Sequence, residues 1–439
     1  MKLAILGGGG FRVPLVYRAV RDDPRHRVTE VVLHDIDPAR LAGVGRILEG
    51  MATPTSPRVI TTTRPDEAVT GAGVVFVAVR VGGLDGRVAD ERVALDLGLL
   101  GQETTGAGGI AFGLRTVPVA LDIARAVRAE APGAWVVNFT NPAGMITQAM
   151  QGVLGDRVIG ICDSPIALGR RAARALGLSL DAVDLGYAGL NHLGWLREVR
   201  VGGVDRLPDL LADGDALAAT EEGQLFGLDL LRELGAIPNE YLHYYYDTAG
   251  AIAQSRRGPT RGEFLARQQQ RFFTTLPQAP DGALAAWEAV LAERNATYMA
   301  AARQDAPRTE EDLVSGGYEG VALALLDAVT GGEPRRLILN VRGAGAIPGL
   351  REDAVVEVPC LVDHTGPHPL PAVALAPREL DLVGRVKAVD ELVIDAGHSR
   401  DPDLAAAAFA AHPLVGPEYA DRLLAAYRGR IPSLSAVFD

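Results

Sequence analysis

The sequence predicts an α/β protein, with a doubly wound parallel sheet at its N-terminal end and an α+β region behind it. Three observations carry that expectation. Short apolar runs at 2–6, 31–33, 74–79, 134–139 and 158–161 alternate with helical stretches, the pattern of repeated strand–helix units. Each run ends abruptly in glycines or polar side chains, and in such sheets ligands bind in the crevice beyond the carboxyl ends of the strands. After about residue 185 the alternation gives way to mixed helices and strands, and 439 residues exceed what one ordinary core encloses. The expected division is therefore 1–185 and 186–439, the second part packed against the strand-end face of the first.

In order, Lys2–Leu6 is a strand running into Gly7-Gly8-Gly9-Gly10-Phe11, with a helix able to start soon after. Glycines there let the backbone approach a pyrophosphate, and the helix N-terminus offers it unpaired N–H groups. Gly7 and Gly9 fit the dinucleotide spacing, but the third glycine position holds Arg12; an ordinary strand-to-helix turn is the plain alternative. The next run ends in Asp35, where an acid would meet a ribose hydroxyl and favour NAD over NADP. Val74–Val79, read as the third strand, leads to Arg80, Arg87, Asp90 and Glu91. The glycine-rich stretch Gly101–Gly109 reads as a substrate-facing loop before a helix from Ala111 to Glu130. The strand at 134–139 ends in Thr140-Asn141-Pro142, where proline stops the ladder and leaves Asn141 at the edge. The strand from Val158 delivers Cys162 and Asp163 to that same edge. Alone, Cys162 reads equally as a packing residue.

Downstream, a helix from Ile166 to Leu176 precedes Asn191-His192, and an amphipathic helix spans Asp209–Glu233. His192 alone reads as a core or turn histidine, but beside a thiol it becomes a candidate metal ligand. Four of the ten tyrosines fall between Tyr241 and Tyr246, and Tyr241, three residues after Pro238, is placed to enter a site. Helices follow at Arg261–Phe273 and Asp281–Arg303, then strands near 337–341 and 354–358, then helices from Pro377 and Asp403.

Composition narrows the function. A formal charge of -12 disfavours nucleic-acid binding. No apolar run reaches the ~18 residues of a membrane span, and the N-terminal run is too short for a signal peptide, so a cytoplasmic protein is expected. Two cysteines make a disulfide framework improbable. Lys2 and Lys387 are the only lysines, which leaves little room for Schiff-base chemistry.

Taken together, the opening glycines, Arg80-Val81-Gly82-Gly83-Leu84, Gln102-Glu103-Thr104-Thr105-Gly106, Asn138-Phe139-Thr140-Asn141-Pro142, Cys162, Asn191-His192 and the tyrosine cluster resemble one family over nearly the whole chain. It is glycoside hydrolase family 4, the NAD- and metal-dependent glycosidases. The stretches 102–118 and 241–246 look most like its 6-phospho-β-glucosidases. The resemblance implies a Rossmann-like domain over 1–185 holding NAD on Gly7, Gly8, Gly9, Gly10, Phe11, Asp35 and Arg40. It implies a divalent cation, Mn²⁺ in this family, on Cys162 and His192. Tyr241 matches the base, Asp163 an acid for the leaving group, Asn141 and Asn191 partners of sugar hydroxyls, and Arg87 and Arg261 partners of a phosphate. The implied reaction oxidises C3, removes the C2 proton, expels the aglycone from C1, adds water and reduces C3 again, with no need of paired carboxylates. The implied substrate is a phosphorylated disaccharide or aryl glucoside, and the implied assembly a homodimer or homotetramer.

One residue departs from the pattern. The position after the cysteine is commonly asparagine in phospho-β enzymes and aspartate in phospho-α enzymes, and Asp163-Ser164-Pro165 matches neither form fully. A 6-phospho-α-glucosidase or an unphosphorylated α-glycosidase therefore stays open. Outside the family, the glycine turn, Asp35 and the Asn-Pro strand end also suit a 2-hydroxyacid dehydrogenase. A non-catalytic nucleotide-binding sensor is the remaining alternative.

Overall fold

The computed structural model describes residues 1–276, 282–297 and 317–439. Six N-terminal strands, β1 (Lys2–Leu6), β2 (Glu30–His34), β3 (Arg58–Thr62), β4 (Val74–Val77), β5 (Trp135–Asn138) and β6 (Val158–Gly160), pair in parallel in the order β3-β2-β1-β4-β5-β6. This is the doubly wound order, with its change of direction between β1 and β4. Leu3, Ile5, Val31 and Leu33 face helices Val13–Arg21 and Pro38–Met51. Ala4, Leu6, Val32, Val75 and Val77 face helices Ala107–Glu130 and Ala143–Leu154. Burial on both faces is why these strands read as unbroken apolar runs. β3 gave no such signal: it is an edge strand with Arg58 and Thr61 exposed, so Val74–Val77 is the fourth strand.

The sheet does not stop at β6. Seven further strands follow: β7 (Asp184–Leu190), β8 (Leu193–Val201), β9 (Val204–Asp205), β10 (Ile237–Pro238), β11 (Arg335–Arg342), β12 (Val355–Asp363) and β13 (Gly366–Pro369). They continue it antiparallel in the order β6-β11-β12-β7-β8-β10, with β9 on β8 and β13 on β12. The later strands thus join the first half edge to edge, where a separate layer over the strand ends was expected. β6, whose end carries Cys162, is the seam between the parallel and antiparallel halves.

Helix boundaries differ at two places. The helix after the glycine-rich stretch begins at Ala107, four residues before the expected Ala111. Asp209–Glu233 is not one helix; this region holds Leu207–Ala212, Gly214–Ala218, Glu221–Phe226 and Leu228–Leu234. Asp213 and Thr220 cap Ala216 N and Gly223 N with their side chains, and such caps compete with helix continuation. Of the expected Asp281–Arg303 helix, Ala283–Ala296 is present, and Asp281 and 298–303 lie outside the described residues. C-terminal helices Pro377–Ser399, Pro402–Ala411 and Ala420–Arg430 bury the outer face of helix Ala107–Glu130. Among the described residues no helix is long and apolar enough to cross a membrane.

Candidate active site

The turn after β1 is built from backbone. Gly7 has φ 88°, and a Cβ there would stand 2.4 Å from Ala78 O, so only glycine fits. Gly7 N and Gly8 N both donate to His34 O, and Gly9 N donates to Asp35 Oδ2 at 3.0 Å. Asp35 therefore braces the loop from the cavity wall. Arg40 lies with its guanidinium 4.6 Å above the Phe273 ring. Gly7, Gly9, Asp35 and Arg40 line a cavity of about 1820 Å³ that also reaches Cys162 and Tyr241. One small molecule ordinarily occupies ~300–1,000 Å³, so there is room here for a dinucleotide and a second ligand.

Side chains build the other end. Asn138, fully buried at the end of β5, donates to Thr140 O, Ala143 O and Thr147 Oγ1. It shapes the turn that leaves Asn141 on the cavity wall. Cys162 is buried two residues beyond β6, and burial, Glu357 and Asp163 all push its thiol well above the ordinary pKa. His192 occupies the two-residue turn between β7 and β8 with φ 62°, a left-handed conformation that costs a non-glycine residue about 1–2 kcal/mol. Strain of this kind gathers at functional sites. Burial pushes the imidazole down to about 4, so the ring is neutral near pH 7. Nδ1 bonds Thr104 Oγ1 at 3.0 Å, which leaves Nε2 for a ligand.

Tyr241 arrives by strand pairing. β10 lies on β8, Asn239 N donates to Gly194 O, and Asn239 Oδ1 caps Tyr241 N. The Tyr241 ring consequently stacks on His192, centroids 3.6 Å apart and 3° from parallel. Its neighbour Glu240 accepts a hydrogen bond from Ser164, which ties the tyrosine segment to the helix that starts after Asp163. Asp163 itself pairs with Arg12 at 3.4 Å, so the residue at the broken glycine position reaches the opposite strand end.

Five arginines converge on the same cavity. Arg80 and Arg87 clasp the buried Glu103 from both sides, at 2.5 and 2.6 Å, and Arg87 also bonds Glu91. Burial opposes charge on Arg87, but Glu103, Glu91 and Tyr241 raise its pKa. Arg261 donates to Arg294 O, Thr297 O and Thr297 Oγ1. Arg294, which the sequence reading passed over, lies 5.8 Å over the Phe11 ring, and no carboxylate pairs with it among the described residues. Burial and repulsion from Arg12, Arg261, Arg87 and Arg80 push its pKa well down. Arginine nonetheless keeps its proton, so this cluster is built to be relieved by an anion.

Of the expected site residues, all but Gly8 and Asn191 line the one cavity. Gly8 is packed under the loop. Asn191 is held by the protein at both ends of its amide: its Oδ1 accepts from Ala143 N and its Nδ2 donates to Glu357. Cys162 and His192 put a soft thiol and a neutral imidazole on the wall of one cavity. Among the described residues no group of three or more His, Cys, Asp or Glu side chains could close around a metal. The pair fits a cation whose remaining positions are taken by substrate or water.

The Family 4 glycosyl hydrolase model matches residues 2–178, and the model of the Family 4 glycosyl hydrolase C-terminal domain matches 187–415. The chain belongs to glycoside hydrolase family 4. It is 30% identical to the 6-phospho-beta-glucosidase BglT of Thermotoga maritima, over 96% of this chain and 95% of that protein. It is also 30% identical to 6-phospho-alpha-glucosidase 1 of Lacticaseibacillus paracasei, over 89% and 88% of the two chains. The solved Thermotoga maritima 6-phospho-beta glucosidase, in a form with manganese, NAD+ and glucose-6-phosphate, superposes with a TM-score of 0.82, at 28% identity and 98% coverage of both chains.

Proposed function

We propose that this chain hydrolyses 6-phospho-β-glucosides, as phosphorylated disaccharides or aryl glucosides, with NAD and Mn²⁺ as its resident groups. The observation that carries the phosphate is Arg294, a cavity-lining guanidinium without a carboxylate partner among the described residues, set among four more arginines. A phosphate dianion suits planar guanidinium groups. Residues 1–185 form the NAD-binding part, where Gly7, Gly8, Gly9, Gly10 and Phe11 take the pyrophosphate and Asp35 and Arg40 the ribose end. NAD supplies a reversible hydride acceptor for C3. A cation on Cys162 and His192 supplies Lewis-acid polarisation of the sugar's O2 and O3.

The chain's own groups do the rest. Tyr241 Oη takes the C2 proton, and the neighbouring Arg87 charge favours the phenolate it must become. Arg294, Arg261 and Arg87 anchor the phosphate at the end of the sugar away from C1. Asn141 orients a hydroxyl, and Asp163, held by Arg12, manages the proton at the leaving oxygen. A carboxylate at position 163 favours a second reading, the 6-phospho-α-glucosidase. Residues 186–439 contribute His192, Tyr241, Arg261 and Arg294, and Arg87 comes from the N-terminal part. Self-association as a homodimer or homotetramer and a cytoplasmic setting, where NAD and sugar phosphates are found, complete the proposal.

The test is incubation with NAD⁺, Mn²⁺ and p-nitrophenyl β-glucoside 6-phosphate in D₂O, with the α anomer in parallel. Phenol release from the β anomer without net NADH, with deuterium at C2 of the product, is expected. Faster release from the α anomer overturns the β assignment, and inertness on both overturns the phosphosugar reading. Arg294→Gln should raise KM for the phosphorylated substrate roughly 30- to 150-fold, the ~2–3 kcal/mol of a lost charged hydrogen bond.

A further inference from the structure

Near Cys162, and bonded to the residue before His192, lies a buried carboxylate that the chemistry above does not use. Glu357 on β12 is 0% exposed. It accepts hydrogen bonds from Asn340 Nδ2 at 2.8 Å, Tyr187 OH at 3.1 Å and Asn191 Nδ2 at 3.3 Å. Among the described residues no arginine or lysine pairs with it. A buried carboxylate with only neutral donors around it is costly, and a neutral side chain of the same shape would serve packing better. Burial favours the protonated form of Glu357, and a cation in the neighbouring site would hold it ionised.

The topology says where that cation would be. Glu357 stands opposite Asn340 on β11, and Asn340 stands opposite Gly160 on β6. A Cβ on Gly160 would come within 2.8 Å of Asn340 Cβ, so the glycine lets the carboxylate network approach the strand that ends in Cys162. On its other side Glu357 holds Asn191, whose Oδ1 also fixes Ala143 N. Asn191 is the residue before His192, so the carboxylate reaches His192 through Asn191 and the strand leading to Cys162 through Asn340 and Gly160.

We infer that Glu357 is a positioning residue of the metal centre, anchoring the Asn191–His192 turn and placing a buried negative charge behind a divalent ion held by Cys162 and His192. The inference rests on the reading of those two residues as metal ligands. Outer-shell carboxylates of this kind tune affinity by orienting a ligand and balancing the ion's charge.

The experiment measures Mn²⁺ binding by electron paramagnetic resonance of the free ion, and NAD⁺ binding by calorimetry, in the wild type, Glu357→Gln, Tyr187→Phe and Cys162→Ser. Glu357→Gln should weaken Mn²⁺ binding about 10- to 100-fold, leave NAD⁺ affinity unchanged and reduce the rise in Tm that Mn²⁺ produces. Tyr187→Phe keeps the volume and removes one of the three donors, so a smaller loss, about three- to tenfold, is expected; it decides the matter if Glu357→Gln does not fold. Wild-type Mn²⁺ affinity in a folded Glu357→Gln, or in Tyr187→Phe where that variant decides, overturns the inference. If Cys162→Ser also binds Mn²⁺ like the wild type, it is the metal-ligand reading that has failed.

Discussion

The cavity has two ends built on opposite principles. At the dinucleotide end, a few consecutive residues present backbone: Gly7 is held open by its φ of 88°, Gly7 N and Gly8 N are tied to His34 O, and Gly9 N to Asp35. At the chemical end, Cys162, His192, Tyr241 and Glu357 come from four distant places, and burial pushes the Cys162 thiol and the Glu357 carboxyl up and the His192 imidazole down. The first end rests on backbone conformation and on the Asp35 side chain that braces it. The second tolerates neither the loss of a functional atom nor a change in its surroundings.

The sharpest way to break that contrast is Tyr241→Phe. On the proposed role of Tyr241 as the base, removing its oxygen should lower kcat by about 10²–10⁴-fold, while NAD⁺ affinity stays constant by calorimetry; an equal loss in NAD⁺ binding would mean the ends are not separable. Cys162→Ser comes next. Because outer-shell changes already cost 10–100-fold, loss of this proposed ligand should weaken Mn²⁺ binding by more than about 100-fold, read by spin resonance, with Tm little changed in the absence of metal. At the backbone end, Gly7→Ala should cost about 2–3 kcal/mol of stability, from the left-handed φ and the crowding against Ala78 O. It should appear as a lower Tm and weakened NAD⁺ binding, with Mn²⁺ affinity retained.

The smallest effect concerns acid. His412 is buried behind the His192 turn, where Leu414 N donates to its Nδ1, and burial together with Arg385 pushes it down to about 3. A histidine depressed on folding leaves stability intact above pH 6.5 and lowers it as pH falls from 6.5 toward 3, because the unfolded chain takes up the proton first. His412→Asn should make the acid limb of the Tm profile shallower by up to one proton, about 1.4 kcal/mol per pH unit. An unchanged slope would show that this histidine is not buried neutral in solution.

The same contrast governs what could be read from the residues in order. The parallel strands, the glycine turn and Asp35 were legible because each is a local signal: an apolar run, a conformation only glycine adopts, an acid at a strand end. The edge strand Arg58–Thr62 was not, since half of it faces water. The breaks at Asp213 and Thr220 were hidden inside an amphipathic pattern. Cys162, His192 and Tyr241 were visible as residue types at strand ends and turns, but the residues around them carried no local mark. Arg294 is one arginine among dozens, Glu357 reads as a polar interruption in an apolar strand, and nothing in the order of residues marks Asn191 as bonded to Ala143 N and Glu357.

By itself, then, the sequence determined the doubly wound sheet, the edge at which chemistry gathers and the family, because these follow from periodicity and from motifs a few residues long. Only the tertiary structure decided that the second half extends the first sheet across β6, which arginine lacks a carboxylate partner among the described residues, and what holds Asn191 at both ends of its amide. Those outcomes depend on pairing between strands up to about two hundred residues apart, such as Asn340 with Gly160 and Glu357 with Gly189. Desolvation then assigns each polar group its charge, and no stretch of sequence carries its own dielectric surroundings.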